Sequence, residues 1–407
     1  MQYGLLGQKL SHSYSPQIHK ALAGYDYDLI PIEPDSLEGF MQNADFSGIN
    51  VTIPYKKAVF PYCHTLSPQA ERLGSVNTIV KNPDGTLWGH NTDYFGFQEM
   101  VRISGLSVLN KKVLVLGSGG AGVTATAVLQ DLGATVIVIS RTGPNNYDNL
   151  DLHMDASVIV NATPVGMYPN TGVSPIQISA FPYLEGVLDL IYNPSETDLL
   201  LQAEERGIVA LNGLYMLVAQ AKESAEYFSG KKIPDSKIED VYRTLRNQME
   251  NIVLIGMPGS GKSTIGAILA DSLNRNFVDT DQLIVDRIGM SIPSYMENFG
   301  LERFRLEETA VICEVCKQSG LIISTGGGCV TREENYRPIR QNATVVWIKR
   351  NIDQLPTDGR PLSKAGNLHA MYEARRPLYS RFADIHINND QTPEKAAERI
   401  LAALKGE

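Results

Sequence analysis

The sequence predicts an α/β protein built on parallel sheets. Residues 111–117, KKVLVLG, form an apolar run of strand length, followed by a helical pattern, AGVTATAVLQDLG, and a second apolar run, ATVIVIS. Strand, helix and strand in that order make a βαβ unit whose two strands lie parallel. Residues 251–256, NIVLIG, open a second such unit: a glycine loop follows, then STIGAILADSL as a helix. The 407 residues suffice for two or three domains, at roughly 100–200 residues each.

Three blocks divide the chain. Residues 1–100 mix short strands (YGLLG, DYDLIPI, GINVTI, NTIV) with helical patterns and Gly/Pro turns, an α/β domain completed by a helix near 214–245. Residues 101–248 hold the first βαβ unit, further strands in ASVIVNAT and GVLDLIY, and helices in ETDLLLQAEERG and 215–228. The polar stretch SGKKIPDSKIEDVYRTLRNQ leads to Met249, where a free-standing protein could have begun, and residues 249–407 form the third block.

Composition narrows the classes. Hydrophobic residues at 43% and charged residues at 20% exclude a disordered chain. No apolar run reaches the ~18–20 residues of a membrane span, and MQYGLLGQKL lacks the marks of a signal peptide. The net charge of −9 argues against a nucleic-acid partner. The acidity sits in residues 1–248, with 17 basic against 25 acidic side chains, while the remainder carries 19 against 20. Cys63, Cys313, Cys316 and Cys329 are too scattered for a disulfide framework, which points to a reducing cytoplasm. Cys313 and Cys316 are expected as two small buried apolar residues of a helix.

The loop GSGGAG carries Gly117, Gly119 and Gly122 in GxGxxG spacing, with Gly120 and Ala121 between them. The first glycine allows a tight turn, the second lets a pyrophosphate approach the backbone, and the third lets helix and strand pack closely. A dinucleotide is therefore expected at the helix N-terminus. An NAD site usually places a carboxylate at the end of the next strand. This chain has Ser140, Arg141 and Thr142 there, and Arg141 suits a 2′-phosphate, so NADP(H) is expected.

Gly256, Gly261, Lys262 and Ser263 match GxxxxGK[ST] between a strand and a helix. In such a P-loop the backbone around Gly259, Ser260 and Gly261 cradles phosphates, Lys262 reaches the outer ones, and Ser263, with Thr264 beside it, contacts Mg²⁺. ATP and Mg²⁺ are expected. Asp279 and Asp281 end the next strand; one could hold metal-bound water and the other take a hydroxyl proton. Asp281 could instead simply cap the following helix. Arg303, Arg305, Arg360, Arg375 and Arg376, with the open backbone of Gly326–Gly328, could receive an anion, against the reading of ordinary solvated charge.

Polar clusters also punctuate the first block: SHSYSP at 11–16, NVTIPYK at 50–56, GSVNT at 74–78 and NTDYFG at 91–96. With GLLG at 4–7, GSGGA at 117–121, NATPVGM at 161–167, DLIYNP at 189–194 and NGLYMLVAQ at 212–220, they make the first 248 residues resemble shikimate dehydrogenases. The resemblance implies reduction of 3-dehydroshikimate by NADPH. Ser13 and Ser15 would hold the substrate carboxylate, and Thr52, Asn77, Asp93, Tyr192 and Gln220 the ring hydroxyls. Lys56 and Asp93 would be the catalytic pair, with Lys56 either donating the proton or chiefly positioning the substrate. Thr163 and Gly213 would complete the cofactor site. Ser140 departs from the asparagine usual before the Arg-Thr pair.

Residues 249–407 resemble shikimate kinases through the P-loop, DTD at 279–281, FRxxE at 304–308, GGG at 326–328, RPL at 360–362 and RxPLY at 375–379. Asp281 would be the base for the 3-hydroxyl and Asp279 would hold the Mg²⁺ shell. Arg305 and Arg375 would pair with the shikimate carboxylate beside Gly327 and Gly328, and Arg360 would close a lid on the phosphate. The lid is short and has Ser363 where a second leucine is commoner. Arg375 is preferred to Arg376 because it stands three residues before Leu378. Together the resemblances imply consecutive steps on shared small molecules, with no nucleic acid and no membrane, and leave a homo-oligomer open. A quinate-type dehydrogenase fused to a kinase is the alternative. A nucleotide-regulated binding protein with one degenerate half is a further one, although Lys56, Asp93, Lys262 and Asp281 are all present.

Overall fold

The computed structural model describes residues 2–10, 13–355 and 368–405. The chain forms two compact units. One is built from residues up to Gly166 with Val173–Tyr192 and Leu199–Leu245; the other from Met167–Gly172, Asn193–Asp198 and the chain from Arg246 onward.

The first unit holds two sheets. The first sheet comprises β1 (Tyr3–Gly7), β2 (Asp28–Pro31), β3 (Gly48–Val51), β4 (Thr65–Leu66), β5 (Thr78–Lys81) and β6 (Leu87–His90), in the order β2-β1-β3-β5-β6-β4. β1 is parallel to β2 and β3, whereas β5 runs antiparallel to both β3 and β6. The carboxyl ends of β1, β3 and β6 and the start of β5 therefore share one edge. Helices α1 (Ser15–Ala23), α2 (Leu37–Asn43) and α3 (Pro68–Leu73) connect these strands. Ser67 caps α3 by accepting the Ala70 amide, with Pro68 at the first helical position.

α4 (Asp93–Ser104) leads into the second sheet, which holds β7 (Lys112–Leu116), β8 (Thr135–Ile139), β9 (Val158–Asn161), β10 (Gly186–Asp189) and β11 (Val209–Asn212). Its order is β11-β10-β9-β7-β8 and every pairing is parallel. α5 (Gly120–Asp131) joins β7 to β8, α6 (Asp198–Glu205) precedes β11, and α7 (Leu214–Ser229) and α8 (Ser236–Met249) follow it. Side chains alternate across β7: Val113 and Val115 pack with Phe97 of α4 and Val128 of α5, Leu114 and Leu116 with Leu199 and Ala203 of α6. A strand covered on both faces must be apolar throughout, which is why the run in KKVLVLG is unbroken.

The second unit holds one parallel sheet of β12 (Asn251–Ile255), β13 (Phe277–Asp279), β14 (Ile322–Ser324), β15 (Ala343–Lys349) and β16 (Ile385–Asn388), ordered β13-β14-β12-β15-β16. Its helices are α9 (Lys262–Leu273), α10 (Thr280–Ile288), α11 (Ile292–Phe299), α12 (Leu301–Val315), α13 (Tyr336–Arg340), α14 (Leu368–Phe382) and α15 (Pro393–Lys405). Ile252 and Leu254 face α9 and α15, and Val253 and Ile255 face the core built on α10, α12 and α14. The expected burial of the two neighbouring cysteines holds for Cys316 and not for Cys313, which is half-buried. Three helical positions turn the chain by 300°, so Cys313 sits at the margin of the stripe that buries Cys316. Among the described residues no helix is long and apolar enough to cross a membrane.

α4 and α7 meet at Gly96, where a Cβ would stand 2.7 Å from the Met216 carbonyl oxygen and 2.9 Å from the Gln220 Cβ. Gly96→Ala should therefore destabilise the first unit by about 1–3 kcal/mol. The urea midpoint of the transition that carries Trp88 measures it.

Candidate functional site

The shared edge of the first sheet gathers the polar residues of the first block. Thr52 follows β3, Asn77 precedes β5 and Asp93 follows β6, stitched by Val51 N–H to Asn77 O at 2.8 Å and Asn77 N–H to His90 O at 3.0 Å. Lys56 Nζ lies 2.5 Å from Asp93 Oδ2, and the pair is partly open, with side-chain exposures of 30% and 19%. Asp93 Oδ1 accepts from Asn77 Nδ2 at 3.0 Å. The Asn77 amide has only one workable orientation. The Thr92 backbone N–H donates to its Oδ1 at 2.7 Å, so Nδ2 must face Asp93. Gln220 joins through Thr92, whose hydroxyl donates to Gln220 Oε1 at 3.3 Å.

Lys56, Asn77, Asp93 and Gln220 thus form one network. Among the described residues it does not extend to Ser13 or Ser15. Ser13 Oγ accepts the Ser15 amide at 3.2 Å at the start of α1, and Tyr14 between them sets its ring edge on Tyr192, 6.4 Å between centroids. Burial raises the Tyr192 pKa, which keeps its hydroxyl protonated. Thr52 packs its methyl group where a Cβ at Gly7 would stand, 2.7 Å away.

Ser224, absent from the sequence reading, holds this edge together with Asn50 and Thr78, which appeared there only within motifs. Asn50 Nδ2 donates to Ser224 Oγ at 2.8 Å and to Thr78 Oγ1 at 3.0 Å, and Ser224 Oγ lies 3.0 Å from Thr92 Oγ1. All three are buried. The signal for Ser224 in the sequence was a serine one turn after Gln220 in α7.

The glycine loop after β7 is open where a ligand backbone would lie. Gly119 and Gly120 have no heavy atom within 4 Å of a built Cβ, whereas a Cβ at Gly122 would strike the Gly117 carbonyl oxygen at 2.0 Å. Gly117 itself has φ +106°. With Gly119 as N-cap, the first α5 amides, from Gly120 and Ala121 onward, have no partner within the helix. Thr163 stands beside Gly117, its methyl 3.0 Å from a built Cβ there. Gly213 caps α7 against Leu190, where a Cβ would meet the carbonyl oxygen at 2.2 Å. Arg141 is exposed just past β8, and Ser140 Oγ turns back onto the Thr142 carbonyl at 2.5 Å. An exposed cation with no carboxylate at that strand end fits a 2′-phosphate.

In the second unit a cleft of about 980 Å³ opens at the carboxyl ends of the strands. The loop after β12 turns at Gly256, Gly259 and Gly261, with φ of +149°, +82° and +100°. Lys262 is buried and donates to the Gly256 and Met257 carbonyls at 3.0 and 3.1 Å. Ser260 lies within the loop, and Thr264 is exposed on the first turn of α9. Ser263 Oγ donates to Asp279 Oδ2 at 2.6 Å. A hydroxyl and a carboxylate are the hard oxygen donors that Mg²⁺ takes, alongside water and phosphate.

Capping of α10 falls to Asp279, which accepts the Asp281 amide at 3.0 Å, so the reading of Asp281 as a cap is overturned. Asp281 lines the cleft instead, and burial, then Asp279, raises its pKa. Fully buried Glu308 accepts from Arg305 Nη1 at 2.6 Å. Its pKa is raised by burial, against the lowering effect of Arg305. A Cβ at Gly326 would meet Glu308 Oε1 at 2.7 Å and Asp281 Oδ1 at 2.8 Å, and one at Gly328 would meet Arg305 Nη2 at 2.0 Å. Arg375 donates to the Gly327 carbonyl at 3.0 Å. Arg376 is exposed and pairs with Glu373 at 3.4 Å. Arg360 lies outside the described residues. Arg350, which lines the cleft beside Gly259, was not singled out in the sequence, and Glu308 appeared there as the last residue of FRxxE with no role given.

Comparison with known proteins follows this geometry. The family model for the shikimate dehydrogenase substrate binding domain matches residues 5–79, and that for shikimate kinase matches residues 258–405. The NADP(+) shikimate dehydrogenase of Clostridium perfringens (strain SM101 / Type A) is 32% identical over 266 residues, 60% of this chain and 98% of that one. The chain belongs to the shikimate dehydrogenase family. Its C-terminal part is a shikimate kinase domain. The crystal structure of shikimate dehydrogenase 1 from Peptoclostridium difficile superposes with a TM-score of 0.55 at 38% identity, covering 60% of this chain and 97% of that one. The Thermus thermophilus shikimate 5-dehydrogenase in complex with NADP(H) and shikimate gives 0.55 at 30% identity, covering 60% and 99%.

In the kinase domain Asp281 can accept a proton only when ionised. If Asp281 is the base, its raised pKa places the loss of activity on acidification above the 3.8 of an ordinary aspartate. The acid limb of kcat for phosphoryl transfer should lie above that value; a profile flat down to it would exclude Asp281 as the base.

Proposed function

We propose that the first unit reduces 3-dehydroshikimate to shikimate and that the second phosphorylates the shikimate 3-hydroxyl. One observation carries the pairing: both families matched within this single chain take their names from the same acid. We keep the functional borders at 1–100, 101–248 and 249–407, with the helix near 214–245 completing the first, and place the enzyme in the cytoplasm, where its four free thiols fit.

Bound NADPH supplies the hydride, and ATP with Mg²⁺ the phosphoryl group. Lys56 donates a hydrogen bond, and then a proton, to the oxygen on which negative charge develops, while Asp93 fixes the ammonium. Ser13 and Ser15 take the carboxylate, and Thr52, Asn77, Tyr192 and Gln220 orient the ring hydroxyls. The backbone from Gly117 to Gly122, with Thr163 and Gly213, holds the cofactor and Arg141 its 2′-phosphate. In the kinase domain Asp281 removes the hydroxyl proton, and Arg305, Arg375, Gly327 and Gly328 receive the carboxylate. Gly259, Ser260, Gly261, Lys262, Thr264 and Arg360 bind the nucleotide phosphates, with Ser263 and Asp279 at the metal.

The test is one incubation of the protein with 3-dehydroshikimate, NADPH, ATP and Mg²⁺, with shikimate and shikimate 3-phosphate quantified by mass. Both should form, the phosphate only when both cofactors are present; turnover of quinate in place of shikimate would favour the quinate reading. Lys56→Ala should lower reduction by about 10²–10⁴-fold and leave phosphorylation of added shikimate intact, and Asp281→Asn should do the converse. Initial rates of the two half-reactions, assayed separately, check this.

A further inference from the structure

Tyr379 on α14 is fully buried and does not line the cleft, yet two of the cleft's donors rest on it. Its hydroxyl donates to the Gly327 carbonyl oxygen at 2.5 Å. The same carbonyl accepts from Arg375 Nη1 at 3.0 Å. A trans peptide is planar, so its C=O and N–H point in opposite directions. Holding the Gly327 carbonyl toward Tyr379 therefore holds the Gly328 N–H away from it. Gly328 and Arg375 both line the cleft, and Gly328 lies against Arg305, whose Nη2 a Cβ there would meet at 2.0 Å.

The phenol is well fixed for this task. Its ring stacks on Trp347 with centroids 5.5 Å apart and 26° between planes. Burial raises its pKa, so the hydroxyl remains a donor at any working pH. A run of three glycines has the widest conformational freedom of any backbone. Without a bond on the Gly327 carbonyl, this peptide could turn over and withdraw its N–H.

We propose that Tyr379 is a positioning residue of the kinase domain, whose hydroxyl sets the Gly328 N–H and the Arg375 guanidinium as one preformed receptor for the acceptor's carboxylate. The proposal rests on the reading of this cleft as the shikimate site.

Tyr379→Phe keeps the ring and its stack on Trp347 and removes only the hydroxyl. In the full chain KM for shikimate should rise about tenfold, while kcat, KM for ATP and the reductase rate stay within about twofold. A shikimate analogue with hydroxymethyl in place of the carboxylate should bind wild type and variant with equal Kd. An unchanged KM for shikimate overturns the proposal. So does an equal loss of affinity for both acceptors, which marks a general packing defect. Should the variant not fold, wild-type protein labelled with ¹⁵N-glycine decides: shikimate must shift the Gly328 amide resonance and the hydroxymethyl analogue must not. A wild-type chain that fails to phosphorylate shikimate overturns the site reading and the proposal together; one that succeeds while Tyr379→Phe is unaffected overturns the proposal alone.

Discussion

The Lys56 ammonium and the Asp93 carboxylate stand 2.5 Å apart, and much of the buried polarity of the first unit is arranged to keep them so. Asp93 opens α4 and Lys56 lies in the loop after β3, so nothing local in the chain brings them together. The pairing of β3 with β5 and of β5 with β6 does, because it delivers three chain ends to one edge. Asn77 then locks the carboxylate. A backbone N–H can only donate, so the Thr92 amide decides which way the Asn77 side chain faces. Asn50, Thr78 and Ser224 fill the remaining donors and acceptors behind it. A buried polar group left without a partner costs about 1–3 kcal/mol. The network is therefore stable only when complete, and a complete network admits one position for Asp93.

The kinase domain handles a carboxylate in the opposite way. Asp93 is matched directly to a cation. Asp281 faces its cations, Lys262 and Arg305, from farther off, and its neighbours include the acidic Asp279. Burial, then Asp279, raises its proton affinity against the two cations, which suits the proposed role of taking a proton. Asp279 makes the arrangement workable by absorbing the structural duties of the segment. It caps α10 and receives the Ser263 hydroxyl, so that Asp281 is spared both. Glu308 anchors Arg305 at 2.6 Å from below, and Gly326 is the only residue type that leaves room for both carboxylates.

What the sequence shows of this site depends on whether a residue is dictated by backbone geometry or by distant contact. Gly117 and Gly261 need positive φ, and Gly122 has no room for a side chain, so these loops appear as motifs in a single sequence. The parallel strands show for a similar reason, since burial on both faces leaves unbroken apolar runs. Ser224 acts on partners far away in the chain, and in sequence it is an ordinary polar residue on a buried helix face; Glu308 and Tyr379 close the motifs FRxxE and RxPLY, which do not show what the two side chains hold. The division of labour between Asp279 and Asp281 is equally hidden, because either could cap a helix. Arg375 and Arg376 are separated only by helical phase. Arg375 lies one turn before Tyr379 on the face that meets the cleft, and Arg376 lies 100° further round.

In the proposed roles the two units meet the same acid with different chemistry. The first offers hydroxyls, Ser13 and Ser15, at the N-terminus of α1, where the helix dipole adds a modest attraction for an anion. The second offers two guanidinium groups and a fixed amide. In both units the acceptor is the anionic carboxylate, so each hydrogen bond to it is one to a charged group, about 1.5–3 kcal/mol. What the guanidinium groups of the second unit would add is a planar fork that fixes the orientation of the carboxylate, which a rotating hydroxyl cannot do.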